Sequence, residues 1–205
     1  MENIESKIIN KEKLNNTEIK KLLNYIVINI RKIINDETFI NKCDLVQGLI
    51  GRYLNKLNIK NYPCITNKCI TENIVGHSFI VADFEEFGDK KYIIDPSYIQ
   101  FLYLNDKEDD MYINDLRVKS KSPFYYAHKI NKDITNEFLK NGYMELNEEN
   151  ASLYGNSFYK TKVGINSSYE FPLISGKTYI NSFTKGNEIL RKYDYPEIET
   201  SVKIK

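Results

Sequence analysis

Three residues suited to nucleophilic acyl transfer stand in order along this 205-residue chain: Cys43, His77 and Asp95. A thiol attacks a carbonyl as its thiolate, a state reached near neutral pH when a base takes the proton or a helix N-terminus favours the charge. Cys43 stands just before a run in which Leu45, Val46, Leu49, Ile50, Tyr53, Leu54 and Leu57 recur at helical spacing. That places its sulfur at the start of a helix, beside unpaired backbone N–H groups and the positive end of the dipole. His77 follows 34 residues later and Asp95 a further 18. The chain has two histidines in all, His77 and His128, so a base for this thiol has two candidates. His128 follows Pro123-Phe124-Tyr125-Tyr126-Ala127, which lacks strand alternation; it is the fallback, and an ordinary surface histidine is its default reading.

The elements that must position these groups are legible. From His77 to Phe84 the residues alternate, His77, Phe79 and Val81 on one face and Ser78, Ile80 and Ala82 on the other, as in a strand. Phe87-Gly88-Asp89 reads as a hairpin turn and Lys91–Asp95 as the returning strand, which Pro96 ends. If the two strands pair, His77 begins one and Asp95 finishes its neighbour, at one end of the hairpin. An imidazole and its orienting carboxylate need that placement.

The order of a helix-borne Cys, a strand-borne His and an Asp on the adjacent strand resembles the papain-like and transglutaminase-like thiol enzymes. Tyr92-Ile93-Ile94-Asp95-Pro96-Ser97-Tyr98-Ile99-Gln100-Phe101 is similar to the Asp-Pro segment of that core, and Gly76-His77-Ser78-Phe79-Ile80-Val81 to its His strand. Within the superfamily the pattern is closest to bacterial toxin and effector glutamine deamidases, which carry a Gln five residues after the Asp; here that residue is Gln100. The resemblance implies a Cys43–His77–Asp95 triad, with the Gln100 amide and the Cys43 backbone N–H as oxyanion donors. It spans residues 39–102, about a third of the chain. Two departures weaken other branches: residues 38–42 lack the Gln that precedes the nucleophile in papain, and the chain has no Trp, which animal transglutaminases place near the thiol.

Outside this segment the chain reads as follows. Residues 1–16, rich in Lys and Asn, are expected to be a mobile lead-in. Residues 17–160 form the catalytic domain with its core at 36–104, and 161–205 a Tyr-rich extension. A helix from Thr17 buries Leu22, Leu23, Ile26, Val27, Ile30, Ile33 and Ile34 and breaks at Asn35-Asp36. Short strands are expected over 62–66 and 68–71. Helices are expected over 133–141, stopped by Gly142, and over 147–158, capped by Asn147.

The fold class is therefore α+β, a Cys helix on an antiparallel sheet. Lys and Arg number 29 against 28 Asp and Glu, a balance that favours neither nucleic acid nor an anionic membrane as partner. The apolar run Tyr25–Ile30 is too short to span a bilayer, and the N-terminus lacks a secretory pattern. A cytoplasmic protein, or one exported by a non-Sec route, is expected. Cys64 and Cys69 lack two further zinc ligands and read as ordinary strand residues. Asp106, Glu108, Asp109 and Asp110 lack calcium-loop spacing and read as a solvated loop. Hence no metal and no cofactor is expected, and a protein or peptide amide, from a host or target protein, is the expected substrate. Glutamine deamidation leads. A papain-like cysteine peptidase and a binding module with a disused triad are the alternatives, with arylamine N-acetyl transfer behind them.

Overall fold

Apolar side chains at helical spacing build the first half of the molecule. In this computed structural model, α1 (Glu2–Ile9), α2 (Asn16–Ile34) and α3 (Cys43–Lys56) precede β1 (Asn61–Ile65), β2 (Ser78–Asp83) and β3 (Lys91–Ile94). Then come β4 (Met111–Ile113), β5 (Leu116–Val118), α4 (Lys132–Lys140) and β6 (Tyr143–Glu145). The structure describes residues 1–39, 42–65, 77–100, 111–113, 116–118, 132–147, 149–150, 154 and 196–202. Cys69, His128, the acidic run 106–110, the strand expected over 68–71 and residues 161–195 lie outside them.

Helix α2 begins with a capping box: the Asn15 side chain accepts from the Glu18 N–H, and the Glu18 carboxylate accepts from the Asn15 N–H. Its Ile19, Leu22, Leu23, Ile26, Val27 and Ile30 are buried, each contributing about 2 kcal/mol of hydrophobic free energy. The chain leaves the helix through Asn35 in the left-handed region at φ 46°. Helix α3 buries Leu45, Val46, Leu49, Ile50, Tyr53 and Leu54 in the same core.

The main sheet is antiparallel, in the order β1-β2-β3-β6, and α3 lies against β1 and β2. The β2–β3 hairpin pairs Asp83 with Lys91 and Ile80 with Ile94. Between them Glu85–Phe87 makes a 3-10 turn and Gly88 reverses the chain at φ 86°. A second, two-stranded sheet is formed by β4 and β5. The fold class is α+β, as the alternation of patterns indicates.

The N-terminus corrects the expectation of a mobile lead-in. Residues 2–9 are helical, and Ile4, Ile8 and Leu14 join the core. Glu5, fully buried, accepts from the Tyr53 hydroxyl at 2.6 Å and from the backbone N–H groups of Ser201 and Val202 at 2.6 and 3.1 Å. These bonds tie α1 to α3 and to residues 196–202, where Glu197 also pairs with Arg52 and Lys56. The signal was the Ile4–Ile8 spacing, outvoted by a polar composition.

Gly142 does two jobs at the far edge of the sheet. At φ 73° it ends α4, and a Cβ there would lie 2.9 Å from a methyl of Val27. Its carbonyl accepts from the Asp95 N–H at 2.9 Å, so the helix stop also fixes the backbone of a candidate site residue.

Candidate active site

Cys43 is the first residue of α3, and Lys42 before it supplies no capping side chain. The positive end of the helix is therefore turned toward this residue without a cap from its own neighbour. The thiol is half-buried and not in a disulfide. Cys64 differs: it is fully buried in β1, its Sγ 3.3 Å from the Tyr62 carbonyl oxygen, and burial pushes its thiol well above the ordinary range.

His77 sits one residue before β2, because the β1–β2 ladder ends at the Ile65–Ser78 pair. Asp95 sits one residue after β3, where Pro96 starts the 3-10 turn Pro96–Ile99. The hairpin register brings them together: His77 Nε2 lies 2.7 Å from Asp95 Oδ2. Both are sealed, at 2% and 1% exposure, whereas Cys43 is half-buried.

Cys43 lies close enough to the His77 ring to be among the groups that raise it. Burial alone pushes His77 downward. The Asp95 charge and hydrogen bond, with Cys43 behind them, outweigh burial and push it up to about 10.

Gln100 closes the Nδ1 side, its amide nitrogen 3.1 Å from that atom. When Nδ1 is unprotonated it accepts from the amide; a proton on Nδ1 removes that acceptor. So the Gln100 donor is directed by the protonation state of the base. The four residues expected from sequence, Cys43, His77, Asp95 and Gln100, come together at one end of the sheet.

Residues that sequence reasoning missed hold this arrangement in place. The Ser78 hydroxyl donates to Asp44, linking the neighbour of the base to the neighbour of the thiol. One turn along α3, the buried Gln47 amide donates to the carbonyls of Cys64 at 2.7 Å and Phe79 at 2.6 Å, a directly paired couple of the β1–β2 ladder. The Asp95 carboxylate accepts from Ser97 Oγ on Oδ1 and from Tyr154 Oη on Oδ2, both at 2.7 Å. A buried Gln one turn after the candidate nucleophile was the available signal for Gln47. Tyr154, 59 residues from Asp95, had none.

Gln47→Leu keeps the side chain's bulk and removes both donations. We expect a loss of about 3 kcal/mol in urea unfolding, the cost of leaving two buried carbonyls without these donors.

Among the described residues, no group of three or more His, Cys, Asp or Glu is placed to hold a metal ion, and no helix is long and apolar enough to cross a membrane. The chain matches no family model, no curated protein and no solved structure. Its function is therefore argued from the geometry itself.

Proposed function

We propose that this protein is a thiol acyl-transfer hydrolase of papain-like or transglutaminase-like fold acting on protein amides, with glutamine side chains as its leading substrate. The observation that carries the proposal is a buried imidazole met by a sealed Asp95 on Nε2 and by Gln100 on Nδ1, with a half-buried Cys43 near enough to raise it. The placement of the Cys at a helix start and of His and Asp at one end of a hairpin supports the fold reading.

In this mechanism the Cys43 proton passes to His77 Nδ1, and Asp95 holds the ring through Nε2. The sulfur attacks the amide carbon, and the oxyanion is met by the Cys43 N–H and the Gln100 amide. One such donor is typically worth about 3 kcal/mol of barrier. The C–N bond breaks as Nδ1 returns its proton to the departing nitrogen, leaving ammonia and a thioester. Water then attacks, giving a proton to Nδ1; the C–O bond forms, the C–S bond breaks, and a carboxyl group replaces the amide. Protonated Nδ1 no longer accepts from Gln100, so the amide is released for the oxyanion at the step that needs it.

Intact-mass analysis of β-casein incubated with the full chain tests this reading. Gains of one mass unit per site without fragments, absent with Cys43→Ala, are expected. Fragments would replace deamidation by peptidase activity, and an added amine by transamidation. An unchanged mass, together with a Cys43 no more reactive toward iodoacetamide than Cys64, overturns the enzyme reading in favour of a binding module.

A further inference from the structure

The Asp95 carboxylate is more heavily engaged than an orienting group requires. Its Oδ2 accepts from two donors, His77 Nε2 and Tyr154 Oη, each at 2.7 Å, while Ser97 holds Oδ1. Tyr154 is fully buried and arrives from a distant part of the chain. Its ring is gripped by Phe79 edge-on at 4.9 Å, by Phe138 at 5.5 Å and by Tyr98 at 5.8 Å. Those three rings come from β2, α4 and the turn after Asp95. A phenol held from three elements with its hydroxyl on a carboxylate oxygen is fixed in direction as well as place.

We propose that Tyr154 is a positioning residue of the acyl-transfer site, holding Asp95 on the imidazole and sharing its charge so that His77 can still release its proton to the leaving nitrogen. The inference rests on the functional reading above and assigns the site a regulator of its base. The physics is a balance. In a dry site a carboxylate bound by an imidazolium alone holds that cation very strongly. Such an imidazolium is a poor acid. A neutral O–H on the same oxygen stabilises the pair more when its net charge is −1, after the ring has lost its proton, than when it is zero. Tyr154 therefore favours proton release. The titratable groups facing the pair, among the described residues, are Cys43 at the start of α3, beside Asp44 in its bond with Ser78, and Tyr154 itself.

The test is nuclear magnetic resonance titration of the His77 ring in the full chain labelled with nitrogen-15 histidine, with His128→Gln used to assign the two signals. Tyr154→Phe keeps the ring in its aromatic cage and removes the hydroxyl. Its His77 midpoint should move up by about half a pH unit or more, a fraction of the differential interaction one hydrogen bond to a charged group provides. Ser97→Ala should move it the same way. A purely structural role for Tyr154 predicts lower thermal stability with an unmoved or lowered midpoint, and either result overturns the proposal. Should Tyr154→Phe not fold, 3-fluorotyrosine at position 154, a stronger donor, should lower the midpoint, and an unmoved value overturns the proposal equally. Cys43→Ala separates this from the functional reading. If that variant leaves the His77 midpoint unchanged, the sulfur is not coupled to the base and the enzyme reading fails, whatever Tyr154 does.

Discussion

His77→Ala will change how the reactivity of Cys43 depends on pH. Under the proposed mechanism, alkylation of Cys43 by iodoacetamide in the wild type is expected to vary only a few-fold between pH 8 and pH 6, because an imidazolium beside the sulfur would favour its anionic form. In His77→Ala the sulfur becomes an ordinary thiol, and its rate should fall about tenfold per unit below roughly pH 8.5. Cys64 is the internal control: it is fully buried with its thiol pushed upward, so peptide mapping should find it unmodified in the folded chain. Removing the ring leaves Asp95 buried without its cation, a change that can cost about 3–5 kcal/mol. His77→Gln, whose amide can donate to Asp95, is the companion variant that keeps the fold while removing the base. Parallel pH curves for the wild type and both variants would sink the thiolate–imidazolium pair. If the proposed function holds, the same variants should abolish turnover, since His77 is both base and acid in the proposed mechanism.

Under the proposed mechanism Asp95→Asn is expected to lower kcat/KM by about 10³–10⁴, the scale at which loss of the carboxylate disables catalytic triads in known enzymes. An Asn can turn its NH2 toward Nε2, which puts the ring proton on Nδ1, where it can no longer accept from the thiol. It also cannot satisfy His77, Ser97 and Tyr154 with one carbonyl oxygen.

The same variant has a stability signature, best read with Cys43→Ala as background so that the thiol does not titrate. His77 is raised in the folded chain from its ordinary 6.5 toward about 10, despite burial and through Asp95 first. A raised histidine stabilises the fold fully below its unfolded value, and that contribution disappears as pH climbs through the folded value. Urea unfolding of Cys43→Ala should thus show stability declining as pH climbs from about 6.5 through a folded value that lies below the wild type's, since the Cys43 contribution is gone. Adding Asp95→Asn should flatten that decline. A decline of equal size in both chains would mean that Asp95 is not what raises His77.

Much of this site could be read before any coordinates, and the reason is locality. Helical and strand periods are properties of short windows, so the stripe of α3 placed Cys43 at a helix start. The alternation after His77, with Pro96 as a stop, placed the other two groups at the ends of adjacent strands. The hairpin register then follows from a short connection, and Gln100 follows Asp95 at a distance one turn can cover. The N-terminal helix was missed because two isoleucines spaced for one face are a weak signal in a window dominated by Lys, Asn and Glu. What makes α1 stable is Glu5 meeting Tyr53 and residues 201–202, contacts from remote parts of the chain.

The remaining features were decided by the folded state alone. Side-chain chemistry marks which groups can accept or donate a proton, and local periodicity marks which element each occupies; both are written in the chain. Whether Gln47 spans a strand pair, whether Ser78 meets Asp44, and whether a tyrosine 59 positions beyond Asp95 lands on its carboxylate depend on how separate elements pack. Packing brings distant residues within hydrogen-bond range through the shape of the whole core, and no window of the sequence contains that shape.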